Sequence, residues 1–272
     1  MLASRLLTAL VLVPLVFLAV LKLPEPGFAF LLGAVVLGGA WELTRLAGLT
    51  SPSQSALAVA LTAGVLGALY PLRQTSLAEM ALLLLAAWWT VNLVAMLSGR
   101  VQPRSRSGLL LPRLLLGLLF LAGAWLALVR LRGLPGGAGL VLSFLVLIWV
   151  ADSAAYFAGR RFGRRKLAPA ISPGKTVEGA MGALTGAALF ALLCGYAGWV
   201  PLSWPAAVGL YVATAAVSIG GDLWESLLKR ERGVKDSGHL LPGHGGVLDR
   251  IDSQIAAAPL FLTGIWLLGR GG

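Results

Sequence analysis

The chain contains one cysteine and two histidines, and Asp, Glu, Lys and Arg together make up only 12% of its 272 residues. A single cysteine, Cys194, excludes a disulfide framework. One cysteine far in sequence from two histidines does not suit a zinc site either. Acidic residues are scarcest, 11 against 22 basic ones, for a formal charge of +11. That excess would suit nucleic acid, but the aromatic residues are not interleaved with the basic ones. An anionic membrane face is the simpler partner, and no nucleic acid is expected. A tandem repeat, a low-complexity tail and a soluble appendage are also missing.

What is present is apolar. Hydrophobic residues make up 58% of the chain and the mean hydropathy is +0.85, which points to a polytopic membrane protein. Segments free of Asp, Glu, Lys and Arg run 6–21, 26–41, 46–72, 80–99, 114–129, 133–151, 179–221 and 253–269. As one helix, 179–221 would be about 65 Å long, twice the hydrocarbon thickness. It breaks at "GYAGWVPLSWP", where Pro201, Pro205 and the tryptophans suit an interfacial turn. The expected fold is therefore all-α, with about nine transmembrane helices. The opening "MLASRLLTALVLVPLVFLAVLKLPEPG" imitates a signal peptide, but its apolar run ends without a small-x-small cleavage site and reads as a retained first span.

With the N-terminus cytoplasmic and the C-terminus on the opposite side, inner segments collect 17 of the 22 basic residues, a strong positive-inside bias. This divides the chain into N-terminal helices (1–98), middle helices with a basic cytoplasmic loop (99–158) and a C-terminal region (159–272). The last holds two cytoplasmic loops, 159–178 and 222–252. Gly182 and Gly186 form a GxxxG, read first as close helix packing and second as a dimer face.

Eight of the eleven acids lie at or beyond residue 152, so the C-terminal part carries the chemistry. Asp152 precedes Arg160 by eight residues, about 12 Å along a helix, and is a functional candidate at the membrane's inner edge or a partner of Arg160. In "SIGGDLWESLLKRERG", a continuing helix puts Asp222, Glu225 and Lys229 on one face beside Ser226. Asp249 and Asp252 again stand three apart, flanking Arg250, at a helix start that one carboxylate would suffice to cap. Paired carboxylates suit a hard cation such as Mg²⁺, and Lys229, Arg230, Lys235 and Arg250 suit phosphates. Backbone at Gly243, Gly245 and Gly246 can approach an anion closely. Together these residue types describe phosphoryl or nucleotidyl transfer. They do not name the substrate.

"SLLKRERGVKDSGHLLPGHGGVLDRID", Ser226 to Asp252, resembles the C-terminal signature of the phosphatidate cytidylyltransferase (CDP-diacylglycerol synthase) family. "ADSAAYFAGRRFGRRKLAPAISPGKTVEGAMGAL" resembles a second block of that family, departing at Gly174, where lysine is frequent, and Val177, where tryptophan is frequent. The clear resemblance covers roughly 150–260. It implies a nucleotidyltransferase of phospholipid biosynthesis in a bacterial-type inner membrane, condensing CTP with phosphatidate to CDP-diacylglycerol and pyrophosphate at the cytoplasmic side. It also implies Asp222 and Asp249 as metal ligands, with Lys229, Asp236, His244, Arg250 and Asp252 catalytic. Substrate contacts would come from Asp152, Ser172, Lys175, Thr176, Glu178, Ser226, Arg230, Lys235, Gly245 and Gly246. His239 falls at a variable position. Mg²⁺, a second cation such as K⁺, and a homodimer are implied by the resemblance. The alternatives are a transporter or binding protein for an anionic metabolite or lipid, a CDP-alcohol phosphotransferase, and a silent family member acting as a scaffold. The D-G-x-x-A-R…D-x-x-x-D pattern of the phosphotransferases is absent, no repeated half suits a transporter, and the intact acidic positions argue against a scaffold.

Overall fold

The computed structural model describes residues 2–104, 111–238, 240 and 245–269. His239, Gly243 and His244, together with Arg106 and Arg270, lie outside the described residues.

Among the described residues there are nine helices: α1 (Leu2–Lys22), α2 (Glu25–Leu46), α3 (Pro52–Leu72), α4 (Ser76–Leu97), α5 (Leu111–Gly133), α6 (Gly137–Phe162), α7 (Val177–Tyr196), α8 (Trp204–Arg232) and α9 (Leu248–Gly269). A short antiparallel hairpin, β1 (Lys166–Ala168) and β2 (Ser172–Thr176), joins α6 to α7 and pairs Lys166 with Thr176 and Ala168 with Ser172. Eight helices, α2 to α9, are each long and apolar enough to cross a membrane. Of α1, the described part Val13–Lys22 is a shorter apolar helix.

The long charge-free run breaks where its prolines and tryptophans stand, between Tyr196 and Trp204. The two segments read from charge, 159–178 and 222–252, begin with the ends of helices. Helix α6 runs on through Asp152 to Phe162, and α8 runs on to Arg232, so only 163–176 and 233–247 lie between helices. Helix α8 stops at Gly233, whose φ of 66° is left-handed and lets its own amide and that of Val234 bond back into the last turn. At 29 residues α8 is about 44 Å long, beyond the roughly 30 Å of hydrocarbon, so part of it must extend past the apolar layer.

One hydrophobic cluster runs from Val20 to Ile265 and includes residues of every helix. Trp224 of α8 stacks edge-on to Trp89 of α4 and Phe120 of α5, which turns the neighbouring Glu225 face toward α9. At the α8–α9 crossing a Cβ on Gly221 would overlap the Asp252 carbonyl oxygen, so only glycine allows this approach. Gly182 and Gly186 of α7 pack against Ala158 and Ala154 of α6. The GxxxG thus serves packing inside the chain, the first of its two readings. Leu57 and Leu61 of α3 and Leu84 and Val91 of α4 point outward, which suits a lipid surround.

Candidate active site

The polar residues of α8 and α9 meet where these helices cross. Lys229 Nζ lies 2.7 Å from Glu225 Oε2, one turn earlier on α8, and 2.7 Å from Asp249 Oδ1 in the first turn of α9. Glu225 is 1% exposed, and its carboxyl group also faces Asp252 and Asp249. Among the described residues its second oxygen, Oε1, is buried with no hydrogen-bond partner. Asp249 Oδ2 accepts hydrogen bonds from the backbone amides of Ser237 (3.0 Å) and Gly246 (2.9 Å). One carboxylate thereby joins the lysine of α8 to both arms of the 233–247 loop.

One turn deeper on α8, Asp222 Oδ2 pairs with Lys175 Nζ of β2 at 2.6 Å, and its Oδ1 accepts from Ser226 Oγ at 3.2 Å. Asp152 of α6 lies within electrostatic range of Lys175 and Asp222. Arg160 is not its partner, for that guanidinium donates to Tyr156 Oη at 3.1 Å. Asp252 interacts with Asp222, Lys175 and Glu225. Three elements therefore bring four acids, Asp222, Glu225, Asp249 and Asp252, and two lysines into one region, with α6 adding Asp152.

Other predicted residues hold this scaffold. Thr176 caps α7 by accepting from the Gly179 amide at 3.1 Å. Glu178 accepts from the Arg164 and Arg165 amides at 3.0 and 3.2 Å and so anchors the entrance to the hairpin. Arg230 Nε donates to the Ile171 carbonyl at the hairpin turn, 3.3 Å away. Ser172 is half-buried at the start of β2. Lys235 and Asp236 are exposed and form no ion pair with each other; Asp236 sits beside Gly245, whose φ is 81°. Arg250 is exposed on the first turn of α9. A side chain at Gly174, where the family pattern often has lysine, would enter open space.

Sequence reasoning passed over two acids. Glu42 of α2 is 1% exposed and accepts from Ser237 Oγ (3.0 Å) and from the Leu248 amide (2.8 Å). The amide that opens α9 is therefore satisfied from α2, and neither Asp249 nor Asp252 caps it. Arg45, three residues along α2, offered a local partner that the fold leaves exposed. Glu231, at the end of α8, pairs with Arg113 and accepts from the Arg104 amide at 3.1 Å.

The donor set tests the expected cation. Among the described residues the side-chain ligands gathered by α8 and α9 are carboxylate oxygens, the preference of a hard cation. Among the described residues, however, no group of three His, Cys, Asp or Glu converges closely enough to hold a metal ion alone. An ion such as Mg²⁺ takes one or two carboxylates and completes its shell with water and substrate phosphates.

The fold and this cluster define a class, an α-helical membrane protein with carboxylates and lysines gathered at the crossing of its last two helices. The family is narrower. The cytidylyltransferase family model matches residues 3–268, and the chain belongs to that family. The chain is 45% identical over 277 residues to a phosphatidate cytidylyltransferase of Pseudomonas aeruginosa, covering 100% of this chain and 99% of that one. A phosphatidate cytidylyltransferase of Haemophilus influenzae is 39% identical over 286 residues, covering 96% and 97%. One from Brucella suis is 46% identical over 145 residues, 53% of each chain. The resemblance thus extends well beyond 150–260, into helices that the sequence alone matched only in hydropathy.

Proposed function

We propose that this chain is a membrane nucleotidyltransferase that condenses CTP with phosphatidate, giving CDP-diacylglycerol and pyrophosphate. The observation that carries the reading is the end-to-end similarity to the Pseudomonas aeruginosa enzyme. In the reaction, an anionic oxygen of the phosphatidate monoester attacks the α-phosphorus of CTP. A new P–O bond forms as the bond to the β-phosphate bridging oxygen breaks, and pyrophosphate leaves with that electron pair. The nucleophile is already an anion, so no side chain has to remove a proton. The difficulty is electrostatic, namely holding two anions together while charge moves onto the leaving group.

The chain's residues address that difficulty. Lys229 and Lys175, already held at the cluster by carboxylates, supply positive charge, with Arg230, Lys235 and Arg250 on the exposed side for phosphates. Asp222 and Asp249 would hold Mg²⁺, which supplies neutralisation of the triphosphate charge. A second cation, K⁺, belongs to the same proposal on the strength of the resemblance alone. Ser226, Asp252 and Asp236 orient the site; Asp152, Ser172, Thr176, Glu178, Gly245 and Gly246 shape its substrate side. His244 completes the proposed set.

The protein resides in the bacterial inner membrane with nine spans, the N-terminus and the cluster both cytoplasmic; the 17 of 22 basic residues gathered on one side support this orientation. The implied homodimer uses a surface other than Gly182 and Gly186, which α6 covers. The test is incubation of detergent-purified protein with labelled CTP, with phosphatidate or with diacylglycerol. Label enters a lipid of CDP-diacylglycerol mass only with phosphatidate. Equal labelling with diacylglycerol, or none with either, would refute the reading.

A further inference from the structure

A carboxylate of the N-terminal half reaches the signature loop. Glu42 is almost fully enclosed, although nothing on its own helix pairs with it. Its Oε2 accepts from Ser237 Oγ and the Leu248 amide, while Oε1 is buried with no hydrogen-bond partner among the described residues. Burying a carboxylate is costly, and this one is held by contacts to the segment that leads into α9. The glycines around it are built to its shape. A Cβ on Gly238 would overlap Glu42 Oε1, and one on Gly246 would overlap Ser237 Oγ and Glu42 Oε2. Ser237 and Gly246 are also the residues whose amides grip Asp249 Oδ2, at 3.0 and 2.9 Å.

We infer that Glu42 is a positioning residue for the reaction: anchored on α2, it fixes the two loop arms whose amides aim Asp249 at Lys229. The chain of contact runs from Glu42 to Ser237 and Leu248, from Ser237 and Gly246 to Asp249, and from Asp249 to Lys229. At 1% exposure, Glu42 acts through these contacts rather than on substrate. Gly246, read in the sequence as backbone that can approach an anion, and Gly238 leave the side-chain space that this carboxylate occupies. The inference rests on the reading that Asp249 and Lys229 belong to the reacting site, but its structural half does not need turnover.

The test uses the full chain in detergent as wild type, Glu42→Ala, Glu42→Gln and Ser237→Ala. Hydrogen exchange is followed in peptides reporting the Ser237, Gly246 and Leu248 amides, with α5 peptides as reference. In Glu42→Ala these amides exchange about tenfold faster, the scale of losing a charge-assisted hydrogen bond, while α5 does not change. Per folded molecule, kcat falls about tenfold or more and KM for phosphatidate stays within about twofold, the split expected when transition-state geometry alone is lost. Glu42→Gln, which keeps an acceptor for the Leu248 amide, recovers most of both, and Ser237→Ala shows a smaller change of the same sign. Wild-type exchange at these amides in Glu42→Ala, or an unchanged kcat per folded molecule, overturns the inference. If Glu42→Ala yields no monodisperse protein, wild-type exchange of these amides in Ser237→Ala overturns it instead. Wild-type protein that makes no product would sink the proposed function, while the exchange result would still stand or fall by itself.

Discussion

Replacing Lys229 with methionine removes the cation that lies 2.7 Å from both Glu225 and Asp249. At an effective dielectric constant of about 20, each contact carries roughly 6 kcal/mol of Coulomb attraction, most of it offset by the cost of taking the ions out of water. Removal is costlier than the net value of the pair, because Glu225 (1% side-chain exposure) and Asp249 (8%) are left facing each other, with Asp249 held only by the Ser237 and Gly246 amides. Breaking a buried pair in this way costs about 3–5 kcal/mol. At a few degrees per kcal/mol for a chain of this size, the thermal midpoint in detergent should fall by about 10 °C. Adding Glu225→Gln to Lys229→Met removes one stranded charge and should restore about half of that loss, a coupling read from the double-mutant cycle. It should not restore product formation, since the cation proposed for the phosphates is still missing. Scanning fluorimetry of the four proteins, with a CTP-to-lipid assay on each, measures both quantities. A Lys229→Met protein with wild-type midpoint and wild-type rate would refute the reasoning, and so would recovery of the rate in the double variant.

Three further outcomes are expected. Gly221→Ala would place a methyl against the Asp252 carbonyl and 2.9 Å from Ala256 Cβ, against ordinary contacts of about 3.5–4.0 Å. Helices α8 and α9 must part by up to about 1 Å, at about 1–3 kcal/mol, and the variant should show a lower thermal midpoint together with lost turnover. Thr176→Ala removes the cap of α7 and should cost about 1 kcal/mol, whereas Thr176→Ser keeps the accepting hydroxyl and should be close to neutral in the same melt. Glu178→Ala frees the Arg164 and Arg165 amides; limited proteolysis should then cut between α6 and α7 sooner than in wild type, with α8 unaffected.

The spans were legible because hydropathy is a property of a continuous segment, and the break at 197–203 because Pro201 and Pro205 interrupt one. The ends of α6 and α8 were harder. Their last turns carry Arg160 and Arg161, or Lys229, Arg230 and Arg232, which read equally well as loop. The α8 face bearing Asp222, Glu225 and Lys229 followed from helical spacing, and the fold does put all three residues on one helix. The hairpin was not visible, since strands of three and five residues carry too little alternation to register. Thr176 and Glu178 read as substrate contacts from the motif; here Thr176 accepts from the Gly179 amide, and Glu178 accepts from the amides of Arg164 and Arg165 and from Arg165 Nε. Glu42 was invisible for a different reason. Its partners are about two hundred residues away, and no pattern within α2 indicates which neighbour an isolated acid will face.

The central claim is that the cluster at the α8–α9 crossing transfers a nucleotidyl group from CTP to a lipid phosphate with help from a divalent cation. The most direct measurement follows lipid-bound label and pyrophosphate together, in wild type, in Asp249→Asn and in wild type with EDTA, after hydrogen exchange has shown that the variant is folded. The account predicts equal amounts of the two products in wild type with Mg²⁺, and neither in the other two samples. Undiminished product from folded Asp249→Asn, or pyrophosphate released without lipid label, would contradict it.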